Sequence, residues 1–154
     1  MSLSKRDAET LDLRAPASPG EREQYYDLRW RILRAPWDQP RGSERDEFEA
    51  TSVHLALWDR CGDVAAVGRL HLNSPAEAQV RFMAVEPAWA RLGLGSRILG
   101  ELEARARDVG AESVVLNARD QAVAFYRRHG YTAIRDADTL FGAVAHVRMA
   151  KRLG

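Results

Sequence analysis

The sequence predicts an α+β fold in which a mixed, mostly antiparallel sheet carries helices on both faces. Three observations predict it. Strand-like apolar runs at 53–58, 64–72 and 79–85 follow one another, the first two joined at a turn containing Gly62, which is hairpin spacing. From Leu94 the period becomes helical, with Leu94, Ile98, Leu99, Leu102, Ala106 and Val109 on one stripe. After Gly110 the chain alternates strand, helix, strand and strand, at 113–116, 120–129, 131–134 and 143–149. Hairpin-connected strands followed by strand–helix alternation are the pattern of a mixed sheet.

The elements can be justified in chain order. Leu11 and Leu13 alternate with polar neighbours and predict a short first strand. Ser18-Pro19-Gly20-Glu21 is a helix start, and Tyr25, Leu28, Ile32 and Leu33 mark the buried face of a helix reaching about residue 33. Pro36 and Pro40 end it, because proline cannot continue the backbone ladder. Ser43-Glu44-Arg45-Asp46 has capping-box spacing and predicts a second short helix. Asn73-Ser74-Pro75 is a turn, Gly110 suits the position after a helix, and Gly130 ends the helix that begins at 120.

Length and composition bound the function. A chain of 154 residues is expected to be one domain, 1–154, with one core. Its 23 Lys+Arg against 22 Asp+Glu leave a formal charge of +1, so no global field favours a nucleic acid or an anionic membrane. No apolar run approaches the roughly 20 residues that span a bilayer, and the first residues lack a signal-peptide core. A cytoplasmic location is therefore expected, with neither nucleic acid nor membrane as partner. Cys61 is the single cysteine; it excludes an intrachain disulfide and a cysteine zinc site, and no metal is expected.

The chemistry concentrates after the third run. Met83-Ala84-Val85 ends a strand, and Arg91-Leu92-Gly93-Leu94-Gly95-Ser96 leads into the long helix. A helix N-terminus presents unpaired N–H groups and the positive end of the dipole. Glycines there let a phosphate approach the main chain. The N–H groups of residues 92–96 could hold a pyrophosphate, with Arg91 and Arg97 adding charge. Neither a P-loop Lys-Ser/Thr nor the third glycine of a dinucleotide loop follows. About twenty residues beyond the loop, Asn117-Ala118-Arg119, Ala122, Phe125-Tyr126 and Gly130-Tyr131 supply a tyrosine on a short helix.

These two segments, in this order and separation, resemble the GNAT acyltransferase superfamily over nearly the whole chain. The family's cofactor motif, Gln or Arg, two residues, Gly, one residue, then Gly or Ala, matches Ala90-Arg91-Leu92-Gly93-Leu94-Gly95 with Ala90 in its first place. The resemblance implies a GNAT-type fold and acetyl-CoA, or a related acyl-CoA, as co-substrate. It implies that the strand of Met83, Ala84 and Val85 splays from that of residues 113–117, so that the pantetheine arm adds to the open edge. Tyr126 falls where the family places its general acid, and Asn117 where a side chain reaches the cofactor. An amine of a small molecule or peptide is the implied acceptor, and dimers are common among such proteins, so a homodimer is compatible with it.

The general base is less legible. Histone-modifying relatives use a glutamate where this chain has Gln79, which cannot take a proton. His71, sharing strand parity with Arg69, and His146, sharing a face with Arg148, are the candidates. The acceptor side is expected along 25–49, where the arginines suit an acidic acceptor and Asp46, Glu47 and Glu49 a polyamine. Two rivals stand beside the acyltransferase. A toxin acetylating aminoacyl-tRNA would want a basic surface. A non-catalytic acyl-CoA-binding sensor or interaction module would not need Tyr126.

Overall fold

Ser4 and Asp7 cap each other's backbone and start α1 (Lys5–Glu9), a helix the periodicity did not predict. The computed structural model describes residues 2–154. β1 (Asp12–Arg14) follows, then α2 (Pro19–Leu33), whose Ser18 cap accepts from the Glu21 N–H. Next come β2 (Val53–Trp58), β3 (Val64–Ser74), β4 (Glu77–Val85) and α3 (Leu94–Asp108). β5 (Ser113–Arg119), α4 (Val123–Arg128), β6 (Thr132–Leu140) and β7 (Val144–Arg152) complete the chain. The last strands run several residues past their apolar cores, because sheet pairing carries polar positions along with apolar ones.

Three expectations need correction. No helix forms at 43–46; the segment is a chain of turns. The Glu44 carboxylate accepts from the Gly42 N–H, and Arg29 and Arg34 donate to the carbonyls of Glu44 and Ser43, so the groups a helix would use are bonded elsewhere. Residues 120–122 form a 3-10 turn, which shortens the fourth helix to Val123–Arg128. Val109 lies beyond the end of α3 and is exposed.

The strands form one sheet of seven in the order β1-β2-β3-β4-β5-β7-β6. Every neighbouring pair is antiparallel except β4–β5. One face packs on α3, where Leu94, Ile98, Leu99 and Leu102 meet Leu55, Leu57, Leu70, Val80 and Val114. Burying each such side chain fully stabilises the fold by about 1.5–3 kcal/mol. The other face packs on α2 through Tyr25, Leu28 and Leu33 against Ala56, Trp58, Val67, Phe82 and Ala84.

β4 changes face midway. Ala78 and Val80 point to the α3 side, whereas Phe82 and Ala84 point to the α2 side. Phe82 has φ 59°, and the register with β3 slips between Val67 and Arg69. This is a β-bulge: Arg81 and Phe82 lie on one side in succession, with the Arg81 guanidinium over the Phe82 ring at 4.5 Å. Gly68 sits opposite, where an added Cβ would run into Ile98 and the Met83 sulfur.

Candidate active site

β4 and β5 are hydrogen-bonded only at Glu77–Ser113, Ala78–Val114 and Gln79–Val115. Past that point both strands continue unpaired with each other, and the gap between them is part of a cleft of about 980 Å³. Met83, Ala84 and Val85 line one wall, and Leu116 to Arg119, including Asn117, the other. The bulge supports the splay, since it adds twist to β4 where the strands part. Because the sheet is open here, groups from both of its faces line one cavity.

The α3 face contributes the glycine loop. Arg91 (φ 66°) and Gly93 (φ 81°) both turn left-handed, so the chain doubles back into α3. Gly93 is the N-cap residue and supplies no side chain, which leaves the first-turn N–H groups of the helix for a ligand. A Cβ added at Gly93 would meet nothing within 4 Å, whereas one at Gly95 would lie 3.3 Å from the Phe125 ring. Arg91, Gly93, Leu94, Gly95 and Ser96 line the cleft, and Ser96 Oγ lies 2.9 Å from His129 Nε2. The residues present therefore fit a pyrophosphate. Two details differ from expectation. The Leu92 side chain packs on the core, leaving only its main chain for a ligand. Arg97 donates to the carbonyls of Ala8 and Leu11, and Arg128 lines the cleft instead.

Tyr126 also lines the cleft from α4. It is 7% exposed and held edge-on by Phe125 at 5.0 Å and Tyr131 at 5.7 Å. Its hydroxyl has no hydrogen-bond partner among the described residues. Burial pushes its pKa up to about 12, against a smaller opposing effect of Arg119, so the phenol keeps its proton throughout the physiological range.

His146 enters from the other face, on β7, and lines the same cleft. Nδ1 lies 2.9 Å from the Val144 carbonyl; a carbonyl only accepts, so Nδ1 carries the proton and Nε2 is the basic nitrogen. Burial lowers its pKa, the Val144 carbonyl opposes this, and Arg119, its partner across β5–β7, adds to the lowering. The imidazole is thus neutral at pH 7 and competent to take a proton. Asn117 Oδ1 accepts from Arg148 at 3.3 Å.

His71 is not brought into this cleft. It is buried on β3, stacked on Phe48 at 4.4 Å, with Nδ1 2.9 Å from Arg69 Nη2 and Nε2 3.0 Å from Asn73 Oδ1. Both ring nitrogens are engaged, and the sequence could not reveal it because strand parity specifies a face, not distance along the strand. Nearby, Asp46 binds Arg69 and Arg81, and Glu49 binds Arg29 and Arg69. These carboxylates are consumed by buried arginines and are not free for a polyamine. Arg34 and Arg119 also line the cleft; the sequence put Arg34 in the 25–49 acceptor segment and Arg119 in the second motif but gave neither a role of its own.

The model of the acetyltransferase (GNAT) family matches residues 22–131. The uncharacterized N-acetyltransferase YjcF of Bacillus subtilis is 33% identical over 112 residues, 73% of this chain and 79% of that protein. An acyl-CoA N-acyltransferase from Pseudomonas aeruginosa superposes with a TM-score of 0.75 at 20% identity, covering 92% of this chain and 99% of that one. An aminoglycoside 6'-N-acetyltransferase complexed with coenzyme A does so at 0.76 and 15% identity, covering 92% and 96%.

Proposed function

The chain belongs to the GNAT acetyltransferase family and is an acyl-CoA-dependent N-acyltransferase, and from that premise we propose which of its residues perform the transfer. The observation that carries the reading is the gap between β4 and β5, where the uncapped start of α3, Tyr126 and His146 all border one cavity.

The pyrophosphate of acetyl-CoA rests on the main chain of residues 91–96, with Arg91 and Arg128 beside it, and the pantetheine arm runs along the open edges at Met83, Ala84, Val85 and Asn117. Acetyl-CoA supplies an activated acyl carbon. His146 Nε2 takes the proton that the amine must lose to attack that carbon. The C–N bond forms, the C–S bond breaks, and the Tyr126 hydroxyl donates its proton to the departing thiolate. Proximity in the cleft supplies much of the remaining rate. Arg119 lines the cleft with both groups and is the cross-strand partner of His146. His71 has no part in this scheme. We place the reaction in the cytoplasm, by one domain, and leave the chain's own assembly outside it.

The test is thiol release from acetyl-CoA with a panel of amines, with products identified by mass. Acetyl-CoA binding without product from any amine would favour a sensor; no binding at all would remove the reading.

A further inference from the structure

Arg34 and Arg119 share one acceptor. Arg34 Nη1 donates to the Leu33 carbonyl at 2.9 Å and Arg119 Nη2 donates to the same oxygen at 3.3 Å. Two guanidinium groups are thus held side by side in the wall of the cleft. Arg34 is 7% exposed, and its other bond is from Nε to the Ser43 carbonyl. Its Nη2 has no partner among the described residues, and neither arginine forms an ion pair there. The surroundings are aromatic: Arg34 lies 5.3 Å from the Phe141 ring and 5.4 Å from Phe82, and Arg119 lies 4.5 Å from Trp37. Asp136 and Asp138 line the same cleft but pair with neither.

A buried cation without an ion-pair partner is costly, and Arg34 is buried while Arg119 beside it is half-buried. Elsewhere this chain neutralises its buried arginines thoroughly: Arg29 and Arg69, both 0% exposed, hold Glu49 and Asp46. Arg34 and Arg119 depart from that rule where the cleft lies, beside His146, which is the cross-strand partner of Arg119. Guanidinium forks match carboxylates in shape and charge.

We infer that Arg34 and Arg119 bind a carboxylate of the acceptor, so that the substrate is an amine bearing a carboxylate, of amino-acid type. This rests on the acyl-transfer reading and specifies its acceptor. An anion there supplies the missing counter-charge and places the acceptor beside His146. The charge balance agrees: burial, then Arg81, Arg119 and Arg29, pull the Arg34 pKa down to about 10 against a smaller opposing effect of Glu44, which forms no ion pair with it. A bound anion reverses that lowering.

The experiment measures thiol release with free amino acids against their carboxamides. The carboxamides' amines are less basic, so intrinsic reactivity at neutral pH favours them. A preference for the free acids of about tenfold or more in kcat/KM is expected, the scale of a charge-assisted hydrogen bond. Arg34→Gln should remove that preference through KM, with acetyl-CoA affinity unchanged by calorimetry; Arg119→Gln should do the same, and both should shift the pH profile through His146, Arg119→Gln the more. Equal rates for acids and amides, or a preference that survives in both variants, overturns the inference. A second arm needs no turnover: with the protein saturated with CoA, succinate should raise Tm where succinamide does not, and Arg34→Gln should lose the difference. Equal effects of the two overturn it, even if no acceptor in the panel reacts. Failure of acyl transfer itself looks different, since acetyl-CoA would then release no thiol with any amine, acid or amide, whether or not it binds.

Discussion

Arg69 donates from Nη2 to Nδ1 of His71 at 2.9 Å, which makes Nε2 the protonated nitrogen, because arginine has no acceptor to offer. Nε2 in turn donates to Asn73 Oδ1, and Asn73 donates to Glu77 and Gln79. Burial first, then the Arg69 charge, lowers the His71 pKa. A neutral ring with both nitrogens committed is a structural group. His71→Ala should therefore cost stability of about 1–3 kcal/mol, the penalty for stranding a buried donor, while kcat stays within a few-fold of the parent. Denaturant melts and steady-state rates on one preparation decide it; a loss of a hundredfold in kcat with an intact fold would restore His71 as a base.

His146 should behave in the opposite way. Its pKa lies below the ordinary histidine value of about 6.5, so the basic form persists into mildly acid solution. kcat/KM should fall as pH drops through that lowered value, and His146→Gln should lose this limb together with ~10²–10⁴-fold in rate. An unchanged acid limb in the variant would assign it to the substrate amine.

Tyr126→Phe removes the hydroxyl and keeps the ring against Phe125 and Tyr131. Folding and acetyl-CoA affinity should change little. A phenol at about 12 is a reluctant donor to a thiolate, whose reference pKa is about 8.5. The loss in kcat should therefore fall at the lower end of the ~10²–10⁴-fold range of general acid catalysis. Full activity where chemistry limits the rate would leave Tyr126 a packing residue.

Gly93→Val places a β-branched residue at φ 81°, a strained conformation for any side chain with a Cβ. Gly95→Val instead pushes on Phe125. Both should abolish the rise in Tm that saturating acetyl-CoA gives the parent protein, which follows from mass action if the ligand binds only the folded state. A full shift in both variants would move the pyrophosphate off this loop.

The carboxylates of the buried network set acid stability. Burial alone would raise Asp46 and Glu49, but Arg69 and Arg29 outweigh it and both lie below their ordinary values. Their folded pKa values being depressed, the contribution is complete above the unfolded values of about 4. It is lost as pH falls through the folded ones. Arg69→Met leaves Asp46 only Arg81 and Glu49 only Arg29 and should cost stability, up to the about 3–5 kcal/mol of breaking a buried pair. The acid unfolding midpoint should move to higher pH, read by circular dichroism across a pH titration; an unmoved midpoint would mean that other groups set acid stability.

The sequence by itself determined what depends on local pattern. Strand and helix periods placed β2 to β4 and α3, because alternation and the 3.6-residue stripe are properties of short segments. The two glycines before α3 and Tyr126 on its short helix were legible because a motif records backbone need and spacing together. What depended on non-local partners was decided only by the tertiary structure. Residues 43–46 carry helix-start spacing, yet Arg29, Arg34, Arg69 and Arg81 arrive from α2, β3 and β4 and take the carbonyls and carboxylates a helix would have used. The face shared with Arg148 gave His146 the better case in the sequence, but only the fold seals His71 under Phe48 and puts His146 at the border of the gap between β4 and β5. Arg34 and Arg119 belong to separate sequence segments, and only one shared carbonyl, at Leu33, brings them together. Such choices turn on which charges find counter-charges across the fold, and that is settled by residues far apart in the chain.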